Sequence, residues 1–169
     1  MNEMKEIRIE KITLNMATGA PGPELEKSKK LLEIISGGRK VVKTSAYKRN
    51  TFGVAKGREI GVMTTIRGKA AKDMLGRFLK AVESKLKASQ FDASGNFSLG
   101  VEEYISIPGI GYDPEIGIKG LDIAVTLGRP GYRVARRSNG RAKLGKGHRI
   151  KPQEAMDWVR REFGVEIQS

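Results

Sequence analysis

The segment IGVMTTIRGKAAKDMLGRFLKAVESKLKA, residues 60–88, predicts a strand that is followed at once by an amphipathic helix. Residues at every second position of 60–67 are apolar or small, which is typical of a strand with one buried face. These positions are Ile60, Val62, Thr64 and Ile66. Gly68 separates the strand from a helix predicted over Lys69–Ala88. The helical positions expected to face inward are Ala71, Leu75, Phe78, Leu79, Val82 and Leu86.

Elements of the same two kinds surround this segment. EIRIEKITLNM, residues 6–16, alternates as a strand, but its apolar parity changes between Ile9 and Ile12. A change of parity predicts a β-bulge near Glu10 and Lys11. The other predicted elements are helices at Pro23–Ser36 and Pro152–Phe163 and strands at Val41–Ser45, Val101–Ile107 and Leu121–Leu127.

The predicted order of elements is strand, helix, strand, strand, helix, strand. This order is typical of an α+β fold of the split βαβ (ferredoxin-like or RRM-like) type, an antiparallel sheet with two helices on one face. An extra strand, a basic arm at about 129–151 and a C-terminal helix would complete it. The 169 residues suffice for one core, so a single RNA-binding domain over 1–169 is predicted.

The second face of such a sheet is free to bind a partner. If alternation holds, its outward side chains are Thr13, Asn15, Thr65, Arg67 and Thr126. Small hydroxyl and amide groups with one guanidinium suit phosphate oxygens and ribose hydroxyls, although a plain solvated face fits the alternation equally well. An RRM stacks bases on aromatic residues of its central strands, and IGVMTTIR has none. Structured RNA or DNA, held by backbone and shape, is therefore favoured over single strands.

Positive charge is confined to two segments. The chain has 32 Lys and Arg against 19 Asp and Glu, a net charge of +13. Residues 34–58 contain seven basic residues and 123–153 contain nine, with no acid in either, while the rest of the chain carries −3. Such segregation indicates a footprint for a polyanion. The arm contains only Val134 and Leu144 as aliphatic residues beyond Ala, so it lacks the stripe of a membrane-surface helix and should contribute little core.

The sequence offers no constellation for catalysis. Without Cys there is neither a disulfide nor a thiolate metal site, which fits a reducing, cytoplasmic setting. GRAKLGKG, residues 140–147, places Gly147 where a phosphate loop needs Ser or Thr. His148 lies among cations, which suits neither a triad nor a zinc site. We predict no catalytic residue, no metal and no cofactor, and no membrane segment.

Several segments resemble the family of the fifth protein of the large ribosomal subunit, in its archaeal form, whose eukaryotic counterpart is numbered eleven. They are KITLNMATG, FGVAKG with IGVMTTIRG, FDASGNFSLGVEEYISIPGIGYDPEIGIKGLDIAVTL, and RPGYRVARRS with KLGKGHRI. The resemblance runs in order through nearly the whole chain. Ala17-Thr18 departs from the glycine that the family usually shows after Asn15.

The resemblance implies a monomeric, non-enzymatic protein of the central protuberance that binds 5S rRNA and joins it to 23S rRNA. By motif, Asn15, Lys43, Thr44, Thr65 and Arg67 would bind 5S rRNA, and Thr13 shares their predicted face. The arm would add Arg133, Arg136, Arg137, Arg141, Lys143, Lys146 and Arg149. The cationic hairpin loop at about 46–59 would approach P-site tRNA through Tyr47, Lys48, Arg49, Phe52, Lys56 and Arg58. The IPGIGYD loop would bridge to small-subunit ribosomal protein thirteen through Ile110, Tyr112 and Asp113. From the residues alone, a non-ribosomal binding module for structured RNA remains the alternative.

Overall fold

The structure is a computed structural model that describes residues 3–48 and 54–168, and a five-stranded antiparallel sheet forms its centre. The strands of this sheet are β1 (Arg8–Ala17), β2 (Val42–Ser45), β3 (Glu59–Ile66), β5 (Phe97–Val101) and β6 (Leu121–Gly128). They lie in the order β2-β3-β1-β6-β5. A short parallel pair consists of β4 (Lys85–Lys87) and β7 (Glu166–Gln168). The helices are α1 (Pro23–Ile35), α2 (Lys69–Ala81) and α3 (Pro152–Phe163).

The split βαβ arrangement is confirmed. Strand β1 lies between β3 and β6 and is antiparallel to both, and β5 extends the sheet beyond β6. Helix α1 packs over β3 and α2 packs over β1. The core between the helices and the sheet contains residues from every layer, among them Ile12, Leu14, Leu32, Ile66, Leu75, Phe78, Ile123 and Val125. Burial of these aliphatic and aromatic side chains is the main source of stability.

The predicted β-bulge lies where the parity of apolar residues changes. Ile9 pairs with Leu127 and Lys11 pairs with Thr126, so the register of β1 against β6 shifts by one residue at Glu10. Because the side-chain period of a strand is two, the inserted residue moves Lys11 onto the face opposite to Ile12. The bulge therefore determines which side chains at this end of β1 point away from the helices.

The second helix is shorter than predicted. It ends at Ala81 rather than Ala88, because Glu83 and Ser84 adopt positive φ values of 52° and 55° and turn the chain. Leu86, predicted on the buried face of the helix, is buried instead from strand β4, which pairs with β7 near the C-terminus. Local periodicity does not register a partner strand some 80 residues away in the chain, so this pairing was missed.

The strand predicted at Val101–Ile107 is wrong. Strand β5 covers Phe97–Val101 instead, where Phe97, Leu99 and Val101 are buried. The residues that follow, Tyr104–Ser106, form a 3₁₀ turn that buries the Tyr104 ring completely. An aromatic side chain buried from a turn has the same apolar signal as one buried from a strand.

The C-terminal helix has the predicted bounds, Pro152–Phe163. Gly164 ends it with φ 64°, and its N–H donates to the carbonyl of Arg160, which is a common glycine termination. Ala155 and Val159 join the common core, and Lys72 of α2 forms a 2.5 Å ion pair with Glu162 of α3. Across residues 3–48 and 54–168, the helices are too short or too polar to span a bilayer.

Candidate nucleic-acid interface

The sheet face opposite the helices carries small side chains in cross-strand rows, and we call it the open face. In one row Thr65 of β3 pairs with Thr13 of β1, Thr13 with Ala124 of β6, and Ala124 with Ser98 of β5. All four residues are partly or fully exposed, while their strand neighbours point into the core. Short side chains allow a nucleic-acid backbone to approach the sheet closely, and the hydroxyls supply hydrogen bonds.

A second row lies nearer the hairpin end of β1. Asn15 pairs with Met63 on one side and with Asp122 on the other. The exposed Asp122 carboxylate repels phosphates, so it disfavours a phosphate path across this row on the β6 side. The sequence predicted Asn15 on this face correctly but did not weigh Asp122.

Two cations lie together at the other end of the open face. Arg67 follows Ile66, whose partner in β1 is Ile12, and this places Arg67 beside Lys11. Lys11 in turn pairs with Thr126 of β6. Within the described part of the chain, neither cation has a hydrogen bond or ion pair through its side chain, so both charges are available to an anion. Sequence reasoning missed Lys11, although the predicted bulge already moves it to the face of Thr13.

The basic arm is joined to this end of the sheet by an ion pair. Arg136 donates through both terminal guanidinium nitrogens to the two oxygens of Glu10, the residue inserted at the bulge. This bidentate contact lowers the pKa of the Glu10 carboxyl from its ordinary value of 4.5, and the charges of Lys11 and Arg67 lower the pKa further. The arm therefore starts next to the free cations of the open face.

Acidification is expected to release Arg136 from Glu10. Because the pKa of Glu10 is lowered in the folded chain, the contact is complete above about pH 4.5 and is lost as the pH falls through the lowered value. NMR titration of the Glu10 carboxyl carbon and the Arg136 guanidinium between pH 7 and pH 2.5 should show both signals moving together. In Glu10→Gln the Arg136 signal should not respond to pH. A Glu10 carboxyl that titrates at 4.5 or above would contradict the ion pair.

The two ends of the arm are part of the folded body, which corrects the expectation that the arm contributes little core. Arg129 is 9% exposed, donates to the carbonyls of Lys5 and His148, and lies 3.3 Å from a Glu154 oxygen. Ile150 is 1% exposed within the main core, and its N–H donates to the Tyr132 hydroxyl. Only the span between these anchors is a cationic surface.

The middle of the arm presents its charges to solvent. Arg137 donates through Nε to the carbonyl of Gly140, which bends the arm back on itself, and the Ala142 N–H donates to the carbonyl of Val134. The predicted RNA-binding cations of the arm are all exposed: Arg133, Arg136, Arg137, Arg141, Lys143, Lys146 and Arg149. The structure thus brings these seven residues together at the end of the sheet that carries Arg67.

The hairpin between β2 and β3 lies at the opposite end of β1. Its base is closed by Ala46, whose N–H donates to the carbonyl of Arg58 and whose carbonyl accepts from Gly57. The predicted tRNA-proximal residues that fall in the described chain are exposed: Tyr47, Lys48, Lys56 and Arg58. Arg49 and Phe52 lie outside the described residues. The two cationic segments therefore flank the open face at its two ends.

Lys43 and Thr44, predicted together as RNA contacts, lie on opposite faces of β2. Thr44 pairs with Gly61 on the open face. Lys43 pairs with the buried Val62, and its ammonium forms ion pairs of 2.8 Å with Glu26 of α1 and 3.0 Å with Glu59. Its charge is already balanced on the helix side, so the structure does not group Lys43 with the other predicted contacts.

The loop predicted as an intersubunit contact is held at several points. The Asp113 N–H donates to the buried Tyr104 hydroxyl at 3.0 Å, and Arg77 of α2 donates through Nε and a terminal nitrogen to the carbonyl of Pro108. Tyr112 is 57% exposed, and Ile110 packs partly against the core. The loop is thus a preformed projection that ends in an exposed aromatic ring.

The arrangement supports binding and not chemistry. Among residues 3–48 and 54–168, no group of three His, Asp or Glu side chains is placed to hold a metal ion. The lone histidine accepts or donates at Nε2 to the carbonyl of Pro130, 2.9 Å away, and serves the fold of the arm. Cations, hydroxyls and a flat sheet recognise a polyanion by charge and shape.

Comparison with known proteins gives matches over nearly the whole chain. Residues 59–158 match the sequence model for the C-terminus of the ribosomal uL5 family. Large ribosomal subunit protein uL5 of Sulfurisphaera tokodaii is 45% identical over 168 residues, which cover 99% of this chain and 95% of that protein. Its counterpart in Nanoarchaeum equitans is 47% identical, with 97% of each chain covered. The counterpart in Cenarchaeum symbiosum is 46% identical, with 98% of each covered.

Proposed function

The chain belongs to the ribosomal uL5 family, and from this premise we propose that it binds 5S rRNA and 23S rRNA in the central protuberance of the large ribosomal subunit. Members of this family are structural, non-enzymatic components of the cytoplasmic ribosome, and this chain is one of them. The observation that carries the proposal is the polar open face with free cations at one end and exposed cationic segments at both ends.

The open face is the proposed site for 5S rRNA. Its contacts are Thr13, Asn15, Thr44, Thr65 and Arg67, and the structure adds Lys11. Arg67 and Lys11 would neutralise phosphates, while the hydroxyls and the Asn15 amide would bind sugar and phosphate oxygens. A folded RNA then docks by its shape, since this face has no aromatic platform for unstacked bases. Lys43 would contribute only at the sheet edge.

The remaining surfaces receive the other proposed partners. The exposed cations of the arm would bind 23S rRNA, and the hairpin with Tyr47 would approach P-site tRNA. The loop with Ile110, Tyr112 and Asp113 would meet small-subunit ribosomal protein thirteen. Its anchoring by Tyr104 and Arg77 supports this role, because a preformed loop loses less entropy on binding.

A gel-shift comparison tests the proposal most directly. The protein should bind 5S rRNA more tightly than an unrelated RNA of equal length at the same salt, since charge alone does not discriminate between the two. It should also sediment with large ribosomal subunits at moderate salt. Equal affinity for both RNAs, with no sedimentation with subunits, would indicate a general module for structured RNA outside the ribosome.

Replacing Arg67 is expected to weaken 5S rRNA binding selectively. Arg67→Ala removes an unpaired guanidinium from the open face and should cost about 1 to 3 kcal/mol of binding free energy, the value of a charge-assisted contact. The dissociation constants of the two proteins would be measured by filter binding at fixed salt. The matched control is Lys72→Ala, which removes a charge on the helix side, where Lys72 pairs with Glu162. Affinity that is unchanged in Arg67→Ala would remove the open face from the proposed interface.

A further inference from the structure

A cavity of about 720 Å³ lies inside the basic arm, away from the open face. Its walls come from the two limbs of the arm and from the turn at Ala93 and Ser94 that precedes β5. The hydrogen bond from the Ala142 N–H to the carbonyl of Val134 holds the two limbs together. The cavity is therefore shaped by the folded arm itself and lies within the size range of ligand sites.

One side of the cavity is apolar and rigid. Tyr132, Ala135 and Leu144 line it. The Tyr132 ring is held in place because its hydroxyl accepts from the Ile150 N–H at 3.0 Å and lies 3.3 Å from the carbonyl of His148. His148 packs edge-on against the same ring, with centroids 5.7 Å apart. A preorganised aromatic ring beside aliphatic groups is suited to a flat, apolar group such as a nucleobase.

The rim of the same cavity is cationic. Arg141, Lys143 and Arg149 line it, and no carboxylate does. In the described part of the chain these three side chains have no ion-pair or hydrogen-bond partner, unlike Arg129 and Arg136, which pair with Glu154 and Glu10. Three like charges around one cavity repel each other, and an anion at the rim relieves this repulsion.

Apolar walls below an anion-attracting rim match one ligand class, a nucleobase attached to its phosphate. We infer that this cavity binds one unpaired nucleotide that projects from an otherwise folded RNA. The base inserts beside Tyr132, and the flanking phosphates contact Arg141, Lys143 and Arg149. The arm then recognises a structural feature of the RNA, a bulged residue, and does not act only as a carpet of charge.

The test uses two RNA stems that differ by one nucleotide, one fully paired and one with a single bulged 2-aminopurine. The protein should bind the bulged stem about tenfold more tightly and change its 2-aminopurine fluorescence on binding, because stacking one base adds affinity of that size. Ala142→Trp, which fills the cavity from an exposed position, should abolish both the preference and the fluorescence change. Ala20→Trp, the same substitution in an exposed turn after β1, should preserve both.

Further arms of the experiment separate the other outcomes. Ala93→Trp fills the cavity from the opposite wall and should repeat the effect of Ala142→Trp, while melting curves check that each variant is folded. If free AMP bound as tightly as the bulged stem, the cavity would be a mononucleotide site and the inference would be overturned. Equal affinity of the parent protein for both stems would overturn it as well.

This inference rests on the proposed function, since the nucleotide belongs to a bound RNA, yet the two fail differently. Equal binding of 5S rRNA and an unrelated RNA of the same length would overturn the proposed function while the preference for the bulged stem persists. Loss of that preference alone, with 5S rRNA still favoured over the unrelated RNA, would overturn the cavity assignment only.

Discussion

The affinity of the protein for 5S rRNA is expected to fall by about 10³- to 10⁵-fold when monovalent salt rises from 50 to 200 mM. This is the drop that follows if roughly 6 to 10 phosphates are neutralised and their condensed counterions released. The structure offers cations in that number: Lys11 and Arg67 on the open face and seven exposed Lys and Arg in the arm. Most of the affinity should therefore be electrostatic.

The measurement is a filter-binding series at five salt concentrations, plotted as log affinity against log salt. Arg141→Gln with Lys143→Gln should reduce the magnitude of the slope by about 2, since each phosphate contact contributes about 0.9. Glu33→Gln with Asp73→Gln, two exposed or half-exposed acids on the helix side, should leave the slope unchanged because these side chains contact no phosphate. A slope near zero in the parent protein would show that charge does not drive binding.

The central sheet was predictable because its signal is local. Alternation in residues 60–67 and a parity change at Glu10 each record how a strand meets one apolar layer, and β3 and the bulge lie where these patterns place them. Features that depend on distant partners were not predictable in this way. The early end of α2 at Ala81 depends on the pairing of β4 with β7, and nothing in residues 82–88 announces that partner.

The interface was predictable in composition and only partly in placement. Counting charge identified the arm, and alternation placed Thr13, Thr65 and Arg67 on one face. Charge counting does not distinguish a cation that binds RNA from one that holds the fold. Arg129 and Lys43 read like their neighbours in the sequence, yet Arg129 is buried against Glu154 and Lys43 bridges Glu26 and Glu59. Such pairs form between residues far apart in the chain.

Replacing Ile150 with Ala is expected to lower the free energy of unfolding by about 2 to 5 kcal/mol, the usual cost of removing a buried aliphatic side chain. Ile150 is 1% exposed and contacts the core at the point where the arm returns to α3. Its side chain also lies over Gly95, where an added Cβ would come within 2.5 Å of it, so this region is closely packed. The loss should appear in urea unfolding as a lower midpoint with an unchanged m value.

The matched control keeps the arm but removes its surface charge. Arg141→Gln with Lys143→Gln should change the free energy of unfolding by no more than about 0.5 kcal/mol, because both side chains are exposed and unpaired in the described chain. The same double variant should weaken RNA binding, whereas Ile150→Ala should leave binding near the parent value under conditions where it is folded. This opposite pattern would separate an arm that is anchored for stability at Arg129 and Ile150 from one that binds RNA between them. A double variant that melts as early as Ile150→Ala would contradict the division, because the exposed cations would then be holding the fold.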